Sequence, residues 1–353
     1  MTSTRSYTAI RTRGICVFVL LLAVSSLIIV PQSTAQSAAS FSRIGFGARG
    51  IALGNALAAD RSGSASPYYN PALAPFATRQ NLNISVASMS FDRSLQFLQL
   101  ASPMQRAGLA IGLTHSSVGK IDGRDNSGFH TRELSVDEYH GFLAFGIKLS
   151  GRLSGGLSFQ MFRTDLFDDL KPAVSVAIDF GLIYQLSETI NLAFVADDLL
   201  GRYTWNSAGV NGADGKKTTD YFPTRLRFGI TNRFLGGRLL VAAELESRTT
   251  KVETVNQSVS VFDTQPVEVT DRDSITLQEW RGRAGMEYLV VPQFSIRTGF
   301  EQRGSKFLGG IRPSAGFMLN HDIGALHARF EYTFAREIQA SGSMHIFSVI
   351  LFL

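Results

Sequence analysis

Val174-Ser-Val-Ala-Ile-Asp-Phe-Gly-Leu-Ile-Tyr-Gln-Leu186 puts a large apolar side chain at every second position: Val174, Val176, Ile178, Phe180, Leu182, Tyr184 and Leu186. Between them stand Ser175, Ala177, Asp179, Gly181 and Gln185, and only Ile183 breaks the polar phase. A period of two is that of a β-strand with two unlike faces, whereas a helix would repeat its apolar positions every three or four residues. The same pattern sets Leu109, Ile111 and Leu113 against Gly108, Ala110 and Gly112, and Leu143, Phe145, Ile147 and Leu149 against Ala144, Gly146 and Lys148. It sets Leu226, Phe228 and Ile230 against Arg225, Arg227 and Gly229, and near the C-terminus Leu326, Phe330, Tyr332 and Phe334 against His327, Arg329, Glu331 and Thr333.

Extended along the chain, this pattern predicts fourteen strands, near 81–91, 93–102, 106–116, 137–149, 153–163, 173–186, 189–198, 223–234, 238–247, 278–289, 293–302, 311–319, 325–334 and 343–353. From the second strand onward their connections alternate in length. Short turns fall near 103–105, 150–152, 187–188, 235–237, 290–292 and 320–324, and longer loops near 117–136, 164–172, 199–222, 248–277, 303–310 and 335–342. A soluble sandwich has no reason to sort loop length by parity. An outer-membrane barrel does, with short periplasmic turns, long outer loops, apolar residues facing lipid and polar ones facing inward. The predicted fold is therefore all-β, a transmembrane antiparallel β-barrel of about 14 strands in the outer membrane of a Gram-negative bacterium, with lipid as its first partner. Tyr139, Tyr203, Trp205, Tyr221, Trp280, Tyr288, Phe334 and Phe352 lie near strand ends, where interfacial aromatic girdles form.

Composition agrees. Only 18% of the 353 residues are charged, below the roughly one-quarter of a soluble domain, and no run after residue 30 is long and apolar enough for a membrane helix. Arg5, Arg11 and Arg13, the apolar stretch Ile15–Val30 and Ser33-Thr34-Ala35 read as a secretory signal peptide, residues 1–35, cleaved after Ala35. Its removal takes three basic residues and Cys16, the only cysteine, and lowers the formal net charge from +5 to +2. That excludes disulfides and thiolate metal sites, and it removes the electrostatic case for nucleic acid.

Ahead of the strands, residues 36–80 are rich in Gly, Ala and Ser and lack a two-faced pattern. Phe41-Ser-Arg-Ile-Gly-Phe-Gly-Ala-Arg-Gly-Ile-Ala-Leu-Gly-Asn-Ala-Leu-Ala-Ala-Asp60 and Tyr68-Tyr-Asn-Pro-Ala72 resemble the opening of the FadL and PorV group of outer-membrane barrels. The resemblance implies an N-terminal hatch, residues 36–80, inside a barrel formed by 81–353, with Gly47, Ala48, Arg49, Gly50, Gly54, Asn70, Pro71 and Ala72 as its motif. Leu73 where a glycine often follows Asn-Pro-Ala, and a chain ending Leu351-Phe352-Leu353 rather than on an aromatic residue, depart from the group's pattern.

With the large apolar residues facing lipid, the lumen face divides in two. The third to sixth strands contribute small residues such as Gly108, Gly112, Gly146, Gly156, Ser158 and Gly181, leaving room for a hatch. The eighth to thirteenth contribute Arg225, Arg227, Arg233, Glu244, Glu246, Arg281, Arg283, Glu287, Arg297, Glu301, Arg329 and Glu331, predicted to form an ionic ladder between neighbouring strands. A fatty-acid channel needs an apolar pocket, which such a wall does not offer. The resemblance then favours a PorV-like component of a type IX secretion system, whose partners are secreted cargo proteins and subunits of an attachment complex. The alternative is a FadL-like transporter of long-chain fatty acids or another hydrophobic small ligand.

No enzyme is expected: the six histidines show no HExxH spacing and no Gly-x-Ser-x-Gly elbow occurs. No metal or cofactor is assigned. Asp168-Asp169, Asp197-Asp198 and Asp271 with Asp273 have the chemistry for Ca²⁺ but read as solvated acids at loop bases. The loops 117–136, 199–222 and 248–277 are the expected partner surface, the last a short hairpin carrying Val259, Val261, Phe262, Val267 and Val269.

Overall fold

The computed structural model describes residues 38–62, 66–125, 127–166, 170–206, 217–262, 265–302, 310–324, 326–337 and 342–353, the side chains of 253–273, 323 and 326 excepted. The predicted signal peptide, Asp168-Asp169 and the side chains of Asp271 and Asp273 lie outside the described residues, as do those of the apolar positions in the 248–277 hairpin.

The strands are β1 (Asn81–Met89), β2 (Arg93–Pro103), β3 (Ala107–Arg124), β4 (His130–Lys148), β5 (Leu153–Asp165), β6 (Ala173–Gln185), β7 (Ile190–Leu199), β8 (Arg202–Asn206), β9 (Lys217–Tyr221) and β10 (Thr224–Phe234). They continue with β11 (Leu239–Phe262), β12 (Gln265–Val291), β13 (Phe294–Gln302), β14 (Ile311–Ile323), β15 (Leu326–Arg336) and β16 (Ser343–Phe352). Fourteen of them form a closed antiparallel barrel in chain order, β10 following β7, while β8 and β9 pair only with each other. The wall closes where β1 meets β16, in register from Asn81 opposite Phe352 to Met89 opposite Met344. Closure leaves no free strand edge, which is what a wall in hydrocarbon requires.

The predicted phases hold across the wall. Val176, Met161, Phe159 and Ile111 are 67%, 61%, 60% and 55% exposed on the outside, while their strand neighbours Ser175, Ala177, Ser158 and Ala110 are buried in the lumen. A continuous apolar exterior of this kind is stable only against lipid.

Three loop predictions need adjustment. Residues 117–136 are mostly not a loop, since β3 and β4 pair on to Arg124 and His130. The hairpin expected in 248–277 is present but long: it is the continuation of β11 and β12, paired as far as Phe262 and Gln265. Past the bilayer both faces of a hairpin meet water, so the ladder continues after the hydrophobic alternation that reveals it has stopped. Residues 199–222 contain the β8–β9 hairpin, which packs against β6 and β11 across the outer mouth.

Inside lie a short 3₁₀ turn, Ser40–Arg43, a helix, α1 (Gly47–Ala52), and a second 3₁₀ turn, Pro71–Phe76. Asn70 starts that second turn, its side chain accepting from the Ala72 N–H with Pro71 in the first position, which needs no amide donor. α1 packs on β1 and β13–β16, and Pro71–Phe76 on β2–β6, so the segment spans the lumen from one side of the barrel to the other.

Candidate functional site: an occupied lumen with two walls

Arg283 lies at the centre of the ionic wall. Its guanidinium reaches Glu246 at 2.5 Å, Glu244 at 2.6 Å and Glu301 at 3.2 Å, its side chain 4% exposed. Register places Glu244 opposite Arg283 across β11 and β12. Arg227 on β10 adds Glu244 at 3.2 Å and Asp197 at 2.5 Å, and Arg225 reaches Asp198 at 2.9 Å. Further round, Arg297 stands 3.0 Å from Glu331 and 3.5 Å from Glu287. These are close approaches without hydrogen-bond alignment, since no guanidinium nitrogen of Arg297 makes a hydrogen bond among the described residues. So many charges survive burial because most of the carboxylates serve more than one guanidinium, as Glu244, Glu246, Glu287 and Asp198 do; an isolated one here would cost several kcal/mol.

Two members of the predicted wall do otherwise. Arg281 pairs with Glu279, two residues away on its own strand, at 2.9 Å. Arg329 donates to Asn320 Oδ1 at 2.9 Å and lies over the Phe352 ring.

Asp197 and Asp198 also overturn their reading as solvated loop acids: they are 1% and 2% exposed. The β6–β7 register shifts between Ile178 and Phe180, and Asp198 has φ +59°, in the left-handed region that Asp tolerates better than most residues. This bulge turns two consecutive side chains inward, where strict alternation would send one to lipid.

The wall also holds the N-terminal segment. Arg43 reaches Asp198 at 3.4 Å; Arg49 joins Asp60 at 2.7 Å and Glu287 at 2.8 Å; Arg233 reaches Asp60 at 3.2 Å. Neutral contacts complete the seating. Ala48 N–H donates to Ser348 Oγ and Ala48 C=O accepts from Thr333 Oγ1, at 2.9 and 2.7 Å. Asn70 Nδ2 donates to the carbonyl oxygens of Ala58 and Leu182, and Ala72 C=O accepts from Ser154 Oγ. Gly54, at φ +61°, lies so close to the Phe300 and Ala284 carbonyls that a side chain would collide with them. Gly47 opens α1, Gly50 faces the Tyr69 hydroxyl, and the Pro71 carbonyl lies against Gly146 and Gly156.

The opposite wall holds what the sequence reading missed. Phe97, Phe142 and Phe162 stand in the inward phase of β2, β4 and β5 and are buried in the lumen. With His140 they form a file of rings. Tyr203 packs on Phe222 at 4.9 Å between centroids, Phe222 on Phe162 at 4.9 Å and Phe162 on His140 at 4.6 Å. His140 packs on Phe142 at 5.9 Å, Phe142 on Phe46 at 5.9 Å, and Phe46 on Phe97 at 5.0 Å. The signal was present: Phe142 and Phe162 each follow an outward position and so must point inward.

At its outer end the file joins Phe41 of the N-terminal segment in a capped apolar cluster. Between the walls a cavity of about 30 Å³, lined by Arg43, Tyr68, Asp179, Asp198 and Arg225 among others, has room for water but not for an acyl chain.

No family model and no curated protein matches the chain. Among solved structures, the toluene transporter TodX of Pseudomonas putida aligns with a TM-score of 0.57 at 14% identity, over 87% of this chain and 97% of TodX. The CymD monoaromatic hydrocarbon channel aligns at 0.54 and 12% identity, over 87% and 96%. A FadL homologue of Pseudomonas aeruginosa aligns at 0.54 and 12%, over 87% and 98%. At these identities the likeness is one of fold: this is an outer-membrane β-barrel built as the FadL-like channels are built.

Proposed function

We propose that the protein carries hydrophobic small molecules across the outer membrane. The observation behind this reading is the buried file of rings from Tyr203 and Phe222 to Phe97, an apolar track along β2, β4 and β5 that faces the ionic wall rather than being replaced by it. The preference for a secretion role rested on the charged wall offering no apolar pocket; the file of rings gives the other side of the lumen an apolar lining, filled in this state by the N-terminal segment. Neighbours in fold whose names specify toluene and monoaromatic hydrocarbons support the same choice. In this reading the barrel performs no chemistry on its cargo. Passage requires the cap to open, so Phe41 and the Ser40–Arg43 turn must withdraw from Phe162 and Tyr203.

The test is uptake of radiolabelled toluene and of a long-chain fatty acid by cells whose only hydrocarbon channel is this protein. Uptake of either above the empty-vector rate supports the proposal; uptake of neither defeats it.

A second reading, the PorV-like handling of secreted proteins, draws on the small polar cavity and on the β11–β12 hairpin beyond the membrane. Co-purification of secreted proteins sharing a C-terminal β-domain would favour it.

A further inference from the structure

At the short-turn rim of the barrel, Arg61, Lys148 and Arg152 converge on one cavity of about 280 Å³, with Phe76 and Ser150 beside them. Lys148 is the last residue of β4, Arg152 lies in the turn to β5, and Phe76 ends the second 3₁₀ turn of the lumenal segment. Two cations share one ring: the Arg61 guanidinium is 4.4 Å and the Lys148 ammonium 5.2 Å from the Phe76 centroid. Among the described residues, none that lines the cavity is acidic. The neighbouring acid, Asp60, is taken by Arg49 and Arg233.

Arg61 Nε and one of its terminal nitrogens are buried and make no hydrogen bond among the described residues. An unsatisfied guanidinium among like charges is destabilised, and an oxyanion would supply both the acceptors and the counter-charge it needs.

We infer that this cavity is an oxyanion site that takes a phosphate group, held by Arg61 and Lys148 above Phe76 and by Arg152 from the turn. A planar guanidinium presents parallel N–H donors to such an anion and the ammonium adds a point charge, the combination that recognises phosphate. The phosphate comes either from a phospholipid of the periplasmic leaflet, whose headgroups lie level with this rim, or from free phosphate. Because the cavity lies at the opposite end of the barrel from the aromatic cap, the inference does not depend on the cargo.

Native mass spectrometry of the full barrel in detergent, titrated separately with phosphatidylglycerol and with inorganic phosphate, tests it. The expected result is one bound phosphate group per barrel, with binding roughly tenfold weaker in Arg61→Gln/Lys148→Gln and retained in Lys148→Arg. Binding of the lipid alone assigns the site to headgroups, and binding of inorganic phosphate that displaces the lipid assigns it to the free ion. If the double variant does not fold, Arg152→Gln, on an exposed turn, takes its place. Failure to bind either probe, or equal binding by the wild type and the folded variants, overturns the inference.

Discussion

The Asn70 side-chain oxygen occupies the space that a methyl group on Gly181 would need. One residue belongs to the lumenal segment and the other to the middle of β6, so the fit ties the segment to the wall at a point with no slack. Gly181→Ala is expected to unseat the Pro71–Phe76 turn without unfolding the barrel. In planar bilayers it should conduct ions where the wild type is closed. Gly141→Ala, whose added carbon would meet only the Gly112 carbonyl at 3.9 Å, should behave as wild type.

Glu244 and Glu246 hold Arg227, Arg248 and Arg283 between them. Replacing both with Gln leaves several buried guanidinium groups short of counter-charge, a loss of about 3–5 kcal/mol for breaking one buried pair. The folded band on a heat-modifiability gel should disappear at a lower temperature; unchanged heat resistance would mean the wall is not a stabilising network.

Asp198 is the carboxylate that Arg43 shares with Arg225. Asp198→Asn keeps a residue that tolerates the left-handed backbone but removes the charge. With that counter-charge removed and its bond to the Ala38 carbonyl kept, Arg43 should become cleavable by trypsin added from outside, at a rate well above wild type. Cleavage at the wild-type rate would show that the apolar contacts of Phe41 suffice to hold the turn.

Phe162 joins the outer cap to the rings below it. Phe162→Ala should cost about 3–5 kcal/mol of stability and interrupt the track, lowering the rate of hydrocarbon uptake in cells relative to an equally abundant wild-type barrel. A variant with unchanged uptake would remove the aromatic file from the transport path.

The barrel was legible because its evidence is local. Alternation within Val174–Leu186 needs only the two-residue pleat, and the parity of loop lengths needs only a bilayer with two unlike sides. The charged wall was legible for the same reason, since Glu244 and Arg283 follow from the inward phase of adjacent strands. The inward phase also contained Phe142 and Phe162, whose apolar character drew attention to the lipid side. The reach of the outer hairpins was not legible, because water on both faces erases the pattern while the ladder of hydrogen bonds persists.

The sequence by itself determined the strand count and the inward and outward faces, because each depends on residues a few positions apart; the lumenal segment was expected only from the resemblance of residues 41–72. Only the tertiary structure decided which charges meet. Arg49 finds Glu287 across 238 residues, and Ala48 finds Ser348 across 300. Asp198 turns inward through a bulge that no periodicity encodes. Such pairings depend on how a closed wall brings distant strands around one filled interior, and that geometry exists only once the barrel has closed.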